Sequence, residues 1–282
     1  MNLASLPTSL DEAVAALGAV PGTIPVAGGT DLMVEVNGGL LEPRAIVGLR
    51  LVEELNGWTV RDGRLVLGAN LTFAQLSHPD LAVLAPAVAQ AAGTVGSPQI
   101  RNVGTLGGNL ATAASTGDLL PVLVALGATA VCYGPLGWRE IPVTELLGEQ
   151  RGDRQPDELI TGVRWPLTRG PQEFLKVGPR NALSLALCSL ALVVDLDQRY
   201  IGCAVGALAP TPVRVEEAER WLADQVDWGT GRISDPGVYD RFADLVTREL
   251  RPVSDHRATA AYRSHATFVC ARRAAQRALP LG

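Results

Sequence analysis

Cysteine and histidine are scarce in this chain, and none of them stands in a metal-binding pattern. Cys132, Cys188, Cys203 and Cys270 are scattered through 282 residues without a C-x-x-C pair, and the three histidines add no ligand spacing to them. We therefore predict no metal site and no iron–sulfur cluster in this chain. Isolated cysteines of this kind are typical of buried thiols in a reducing compartment, so we expect a cytoplasmic protein.

An excess of positive charge and long apolar runs are also missing. The chain has 24 Lys and Arg against 29 Asp and Glu, a formal net charge of −5. Nucleic acids and anionic membranes bind surfaces with an excess of basic residues, so we expect no nucleic-acid partner. The longest apolar stretches, residues 119–131 and 185–194, are too short or too interrupted for membrane insertion, and Asp11 and Glu12 argue against a signal peptide.

The chain is rich instead in hydrophobic residues and glycine. Hydrophobic residues make up 47% of it and charged residues 19%, a composition that predicts a folded chain with room for two modest domains. Three glycines fall within five residues in the stretch Gly104-Thr-Leu-Gly-Gly-Asn109. Because glycine has no Cβ, backbone N–H groups there can approach a ligand closely. This stretch predicts a cradle for phosphate oxygens.

A second glycine turn lies near the N-terminus, in Val26-Ala-Gly-Gly-Thr-Asp31. Thr30 or Asp31 could begin a helix whose first amides favour an anion, and two such turns could hold one pyrophosphate from both sides. Neither turn fits G-x-G-x-x-G or G-x-x-x-x-G-K-S/T, which disfavours a Rossmann dinucleotide site or an ATP-binding P-loop.

Asp118 stands directly before the apolar run 119–126. At this place its carboxylate could cap a helix or accept hydrogen bonds from a ribose, and the sequence leaves both roles open. No Asp, Ser or His has the spacing of a known nucleophile motif, so we predict no catalytic acid, base or nucleophile.

Five motifs in the same order carry a family resemblance over the whole chain. The chain resembles the FAD-binding (medium) subunit of molybdenum hydroxylases and is similar to the medium subunit of carbon monoxide dehydrogenase and the FAD domain of xanthine dehydrogenase. The matching stretches are PVAGGTDLM at 25–33, TVGSPQIRNVGTLGGN at 94–109, GDLLPVLVALGA at 117–128, ELITGVRWP at 158–166 and APTPVR at 209–214.

The resemblance implies the cofactor, FAD, and the residues that bind it. In the family the FAD diphosphate lies on backbone amides of two glycine turns, an acidic residue contacts the adenosine ribose, and apolar and basic residues lie near the flavin. By position these are Val26, Ala27, Gly28, Gly29, Thr30, Asp31 and Leu32, then Thr105, Leu106, Gly107, Gly108 and Asn109, with Asp118 at the ribose and Val95, Ile160 and Lys176 near the flavin. The family often reads N-A-S-P before the acidic residue, whereas this chain has Thr112, Ala114 and Ser115.

The resemblance also implies a place in a larger complex. A large subunit would carry molybdopterin and a small iron–sulfur subunit would carry the 2Fe–2S centres. This chain would pass electrons to NAD, oxygen or a quinone, and the pocket for the organic substrate would lie in another chain. A dimer of heterotrimers is the expected assembly. Two alternatives remain open at this point: a stand-alone flavin oxidoreductase, and a non-redox nucleotide-binding regulator.

The expected fold class is α+β. We predict a two-lobed FAD-binding domain at 1–168, with lobes at about 1–55 and 56–168, and a C-terminal domain at 169–282 of the carbon monoxide dehydrogenase flavoprotein type. The C-terminal domain should contain a three-stranded antiparallel sheet and helices, one of them at 213–224. A single buried helix is expected at 81–92 and an exposed loop at 148–156.

Overall fold

The computed structural model describes residues 3–149 and 153–282, which form two compact units. Unit 1 comprises the described residues of Met1–Gln75, Pro98–Thr112 and Ala128–Pro166. Unit 2 comprises Leu76–Ser97, Ala113–Gly127 and Leu167–Gly282. The domains proposed from the sequence, 1–168 and 169–282, are continuous segments of chain, whereas each compact unit combines three segments.

The first half of the chain contains β1 Leu3–Ser5, α1 Leu10–Ala19, β2 Thr23–Val26, α2 Leu32–Asn37, β3 Ala45–Gly48, β4 Trp58–Arg61, β5 Arg64–Gly68, α3 Phe73–Leu76, α4 Pro79–Leu84, α5 Pro86–Thr94, α6 Pro98–Val103, α7 Leu106–Thr112 and α8 Leu119–Ala125. A short 3-10 helix lies at Glu53–Leu55. The second half contains β6 Thr129–Gly134, β7 Gly137–Pro142, α9 Val143–Leu146, β8 Leu159–Pro166, β9 Gln172–Val177, β10 Cys188–Asp195, β11 Tyr200–Gly206, β12 Val213–Arg214, α10 Glu216–Ala223, α11 Gly237–Arg248 and α12 Ala260–Ala278.

Unit 1 contains two sheets. A parallel sheet has the strand order β1-β3-β2, and α1 packs on it through Leu10, Val14 and Leu17. An antiparallel sheet has the order β4-β5-β8-β6-β7. The hairpin between β4 and β5 turns through Asp62 and Gly63, which have φ of 52° and 69°, the left-handed pair that a two-residue hairpin turn needs.

Unit 2 is a four-stranded antiparallel sheet, in the order β12-β11-β10-β9, with helices that include α5, α8, α10 and α12 packed on it. Every residue of β10 is buried, and both α8 and α12 contact this strand. All seven residues of α8 are buried as well. Helices therefore cover this strand, which is buried along its whole length.

The α+β class is confirmed, and the structure corrects several details. The C-terminal sheet has a fourth strand, because Val213 and Arg214 pair with β11 where a helix was expected, and the helix begins at Glu216. The predicted helix 81–92 is two helices, because Pro86 lacks the N–H that would continue α4 into α5. Strand β7 was not predicted.

Two further expectations concern loops and membranes. Residues 150–152 of the predicted loop 148–156 lie outside the described residues. Among the helices of the described residues, 3–149 and 153–282, none combines the length and the hydrophobicity of a membrane-spanning segment.

We predict that Gly202→Ala destabilises unit 2. A Cβ at Gly202 on β11 would lie 1.9 Å from the carbonyl oxygen of Ala125 at the end of α8, and backbone cannot move aside cheaply. We expect a loss of about 2 kcal/mol or more in the free energy of unfolding, measured by urea titration.

Gly93→Ala is the matched control for Gly202→Ala. Gly93 lies in α5, where the atom nearest to an added Cβ would be the Ser77 hydroxyl oxygen, at 4.0 Å. Since alanine is the better helix former, this variant should gain about 0.5–1 kcal/mol. Equal stability of the two variants would contradict the tight contact between β11 and α8.

Candidate cofactor-binding site

The first glycine turn, Val26–Leu32, connects β2 to α2 in unit 1. Gly29 has φ of 69°, which allows the chain to reverse between the strand and the helix. The Gly29 carbonyl accepts a hydrogen bond from the Met33 N–H at 2.9 Å, and the Asp31 backbone carbonyl accepts one from the Glu35 N–H at 3.3 Å. The N–H groups of residues 29–32 donate to no acceptor in the part of the chain that the structure describes. The turn is half-buried, so these amides form an open donor set for an anion.

The second glycine segment, Thr105–Asn109, lies on a helix where a loop was expected. Gly107 and Gly108 are in α7 and have no positive φ. The Gly107 N–H donates to the Ala69 carbonyl at 2.8 Å and the Gly108 N–H to the Thr105 hydroxyl at 3.1 Å. The N–H groups of Leu106 and Asn109 also donate within the unit. The four amides from Leu106 to Asn109 are therefore used internally, unlike the open cradle that the sequence predicted.

Packing explains the glycine at position 107. A Cβ there would lie 2.8 Å from the Ala69 Cβ, so this glycine lets α7 approach the end of β5. The carboxamide oxygen of Asn109 is buried and accepts no hydrogen bond from the described residues. This oxygen is therefore a buried acceptor whose hydrogen bond is not supplied by the described residues.

The two glycine segments lie against each other within unit 1. A Cβ on Gly28 would lie 1.9 Å from the Val103 carbonyl oxygen and 3.1 Å from the Gly104 Cα. On the other side of the turn, the Thr112 hydroxyl donates to the Asp31 carboxylate at 3.2 Å. The open amides of the first turn therefore lie beside the segment that contains Asn109, and a shared role of the two segments in binding stays a prediction.

Unit 2 contains a separate buried polar cluster. Lys176 on β9 donates from Nζ to Asp118 Oδ2 at 2.5 Å, and their side chains are 11% and 4% exposed. Thr94 at the end of α5 donates from its hydroxyl to the same oxygen at 3.0 Å. Burial raises the pKa of Asp118, and the Lys176 charge and the hydrogen bonds from Lys176 and Thr94 oppose this rise.

The structure does not support one of the two roles considered for Asp118, helix capping, and the ribose contact stays a prediction. Asp118 occupies the N-cap position of α8, but its side chain makes no capping hydrogen bond. Oδ2 binds Lys176 and Thr94, while Oδ1 is buried without a partner among the described residues. The carboxylate therefore keeps one unpaired acceptor.

The remaining predicted residues are apolar. Ile160 on β8 is 6% exposed and pairs with Cys132 beside a bulge in β6, in unit 1. Val95 follows α5 in unit 2 and is half-buried. Both remain predictions as cofactor contacts.

Sequence reasoning missed Thr94, Thr112 and Ala69. Thr94 begins the TVGSPQIRNVG motif, and a polar residue at that end of a buried helix was the available signal. The partners of Thr112 and Ala69 are distant in sequence, so no local pattern identifies them. Among the described residues, no group of three His, Cys, Asp or Glu side chains could hold a metal ion.

The donor set fits a flavin dinucleotide. The glycine turn of unit 1 offers open amides of the kind that bind a diphosphate, and Asn109 adds a buried acceptor. These features fit a site for the diphosphate of a nucleotide, and comparison with known proteins identifies the class of protein. The profile described as "FAD binding domain in molybdopterin dehydrogenase" matches residues 4–168, and "CO dehydrogenase flavoprotein C-terminal domain" matches residues 173–278.

The chain therefore belongs to the family of FAD-binding medium subunits of molybdenum hydroxylases. It is 32% identical over 230 residues to the nicotinate dehydrogenase FAD-subunit of Eubacterium barkeri, covering 77% of each chain. It is 30% identical over 280 residues to the carbon monoxide dehydrogenase medium chain of Afipia carboxidovorans, covering 96% of this chain and 94% of that one. The crystal structure of quinoline 2-oxidoreductase from Pseudomonas putida 86 matches with a TM-score of 0.87 and 25% identity, covering 99% of this chain and 96% of that chain.

We predict that Gly28→Ala lowers both FAD retention and stability. The new Cβ would collide with the Val103 carbonyl and separate the two glycine segments. We expect the free energy of unfolding to fall by about 1–3 kcal/mol and bound FAD per chain, measured by absorbance after gel filtration, to drop severalfold.

Gly18→Ala is the control within the same unit. Gly18 is in α1, and a Cβ there meets only Asp157 Oδ2 at 3.9 Å. This variant should keep wild-type FAD content. If Gly28→Ala also retained full FAD, the packed glycine segments would not be the cofactor site.

Proposed function

We propose that the first glycine turn binds the diphosphate of FAD and that this chain transfers electrons from an iron–sulfur subunit to a terminal acceptor. The observation that carries the proposal is the set of open backbone amides at residues 29–32, held against the second glycine segment by the glycine contact at Gly28. FAD, when bound, supplies the redox chemistry through its isoalloxazine ring. The protein has to bind and orient it.

Each predicted residue has a proposed part in this binding. In unit 1, residues 26–32 would hold the diphosphate, Thr105–Asn109 would support that turn and offer the Asn109 oxygen, and Ile160 would provide an apolar contact. In unit 2, the unpaired Asp118 oxygen would accept a hydrogen bond from the ribose, and Val95 and Lys176 would contact the flavin. The buried ion pair with Asp118 supports this proposal, because it fixes the position of the Lys176 ammonium group.

Substrate oxidation is proposed to occur in another subunit. The relatives are named for nicotinate, carbon monoxide and quinoline, which share no functional group that one flavin-side pocket would recognise. Medium subunits of this family act with a large and a small subunit, and we propose a dimer of such heterotrimers. We also propose a cytoplasmic location, supported by four buried cysteines that are all free thiols.

We predict that the purified, FAD-loaded chain is not reduced by an organic substrate on its own. Electrons should reach the flavin only after the molybdopterin and iron–sulfur subunits from the same organism are added. Anaerobic bleaching of the flavin absorption band near about 450 nm, with and without those subunits, measures this.

The control is chemical reduction of the same preparation with dithionite, which should bleach the band with or without partners. Rapid substrate-dependent bleaching by the isolated chain would overturn the proposal and favour a stand-alone oxidoreductase. Absence of FAD binding by the well-folded chain would favour a regulator without redox function.

A further inference from the structure

The Asp118–Lys176 ion pair is held by a third residue, Thr94. The hydroxyl of Thr94 donates to Asp118 Oδ2 at 3.0 Å, and its backbone carbonyl accepts a hydrogen bond from Lys176 Nζ at 3.3 Å. Thr94 thus contacts both charged partners, the anion through its side chain and the cation through its main chain. Neither the sequence motifs nor the family descriptions give Thr94 a role.

This arrangement decides which oxygen of Asp118 stays unpaired. Lys176 and Thr94 both bind Oδ2, so Oδ1 remains without a partner although the residue is only 4% exposed. A carboxylate free to rotate would share its two oxygens between the available donors. A hydroxyl and an ammonium group fixed on the same oxygen leave the other oxygen without a donor from this cluster.

The hydroxyl of Thr94 has one proton and two acceptors within reach. The second acceptor is the Ala91 carbonyl, one turn earlier in α5, at 2.8 Å. Because a charged acceptor makes the stronger hydrogen bond, the proton goes to the ionised Asp118. Thr94 is itself exposed, so changing its side chain leaves the core of unit 2 intact.

We propose that Thr94 is a positioning residue of the cofactor site, acting through Asp118 by keeping Oδ2 occupied and Oδ1 available to a hydroxyl or N–H donor of the bound cofactor. This inference rests on the proposed function, since it takes FAD as the ligand of Asp118. It adds a residue to the site and assigns the two carboxylate oxygens different tasks.

The test measures the Kd of the folded apoprotein for FAD, by quenching of flavin fluorescence, for wild type and for variants of Thr94. Thr94→Val removes the hydroxyl at nearly constant shape and should weaken FAD binding about tenfold, the effect of losing one hydrogen bond to a charged group. Thr94→Ser restores the hydroxyl and should return the Kd to within about twofold of wild type. Thr94→Ala replaces Thr94→Val if the valine variant does not fold.

Thr247→Val is the matched control. Thr247 also lies in the last turn of a helix in unit 2, and its hydroxyl donates to the carbonyl three residues earlier at 2.9 Å, but it does not contact Asp118. A general effect of losing such a hydroxyl would appear equally in this variant. We expect its Kd for FAD to equal that of wild type.

A double-mutant cycle with Asp118→Asn separates positioning from an independent effect. If Thr94 acts through the carboxylate, Thr94→Val should change the Kd by less than about twofold in the Asp118→Asn background. A tenfold effect that persists there, a failure of serine to restore binding, or a wild-type Kd for Thr94→Val would each overturn the inference while wild type still binds FAD. Failure of wild type to bind FAD would instead reject the proposed function.

Discussion

The approach of the Gly28 backbone to the Val103 carbonyl is the contact on which the candidate site depends. Only a residue without Cβ fits there, because an added carbon would lie 1.9 Å from that oxygen. This contact brings the turn after β2 beside the segment that leads into α7, although about 75 residues separate them in sequence. This contact, together with the hydrogen bond from Thr112 to Asp31, keeps the open amides of the first turn beside the segment that contains Asn109.

The glycines of the two segments have different structural roles. Gly29 adopts a positive φ and frees the following amides, so this turn provides donors. Gly107 sits in a helix and makes room for Ala69, so it serves close packing and its N–H is used within the protein. Similar glycine pairs in a sequence therefore do not predict the same role, since the hydrogen bonds of their amides depend on what packs beside them.

Unit 2 contains a buried ion pair whose two charges balance each other. Lys176 and Asp118 are buried together, which offsets the cost of removing either charge from water. In the proposed site this pair would therefore offer a ligand a hydrogen-bond acceptor and little net charge. Orientation is what a flavoprotein needs from its polypeptide, because the cofactor itself carries the electrons. The absence of a predicted nucleophile or acid–base pair is consistent with this division of labour.

Most strands and helices could be predicted from the sequence, because hydrophobic periodicity and turn residues are local properties. The α+β class of the two domains, the family and the cofactor were implied by the resemblance that five motifs carry. It also named Asp118 and Lys176. The ion pair between these two residues and the hydrogen bond from Thr94 to Asp118 depend on tertiary structure, because β9, α5 and α8 are distant in sequence and meet only through packing. Tertiary structure likewise decided that α7 uses its amides internally and that Val213 and Arg214 extend a sheet. Hydrogen-bond partners far apart in sequence leave no local pattern, so only the folded chain specifies them.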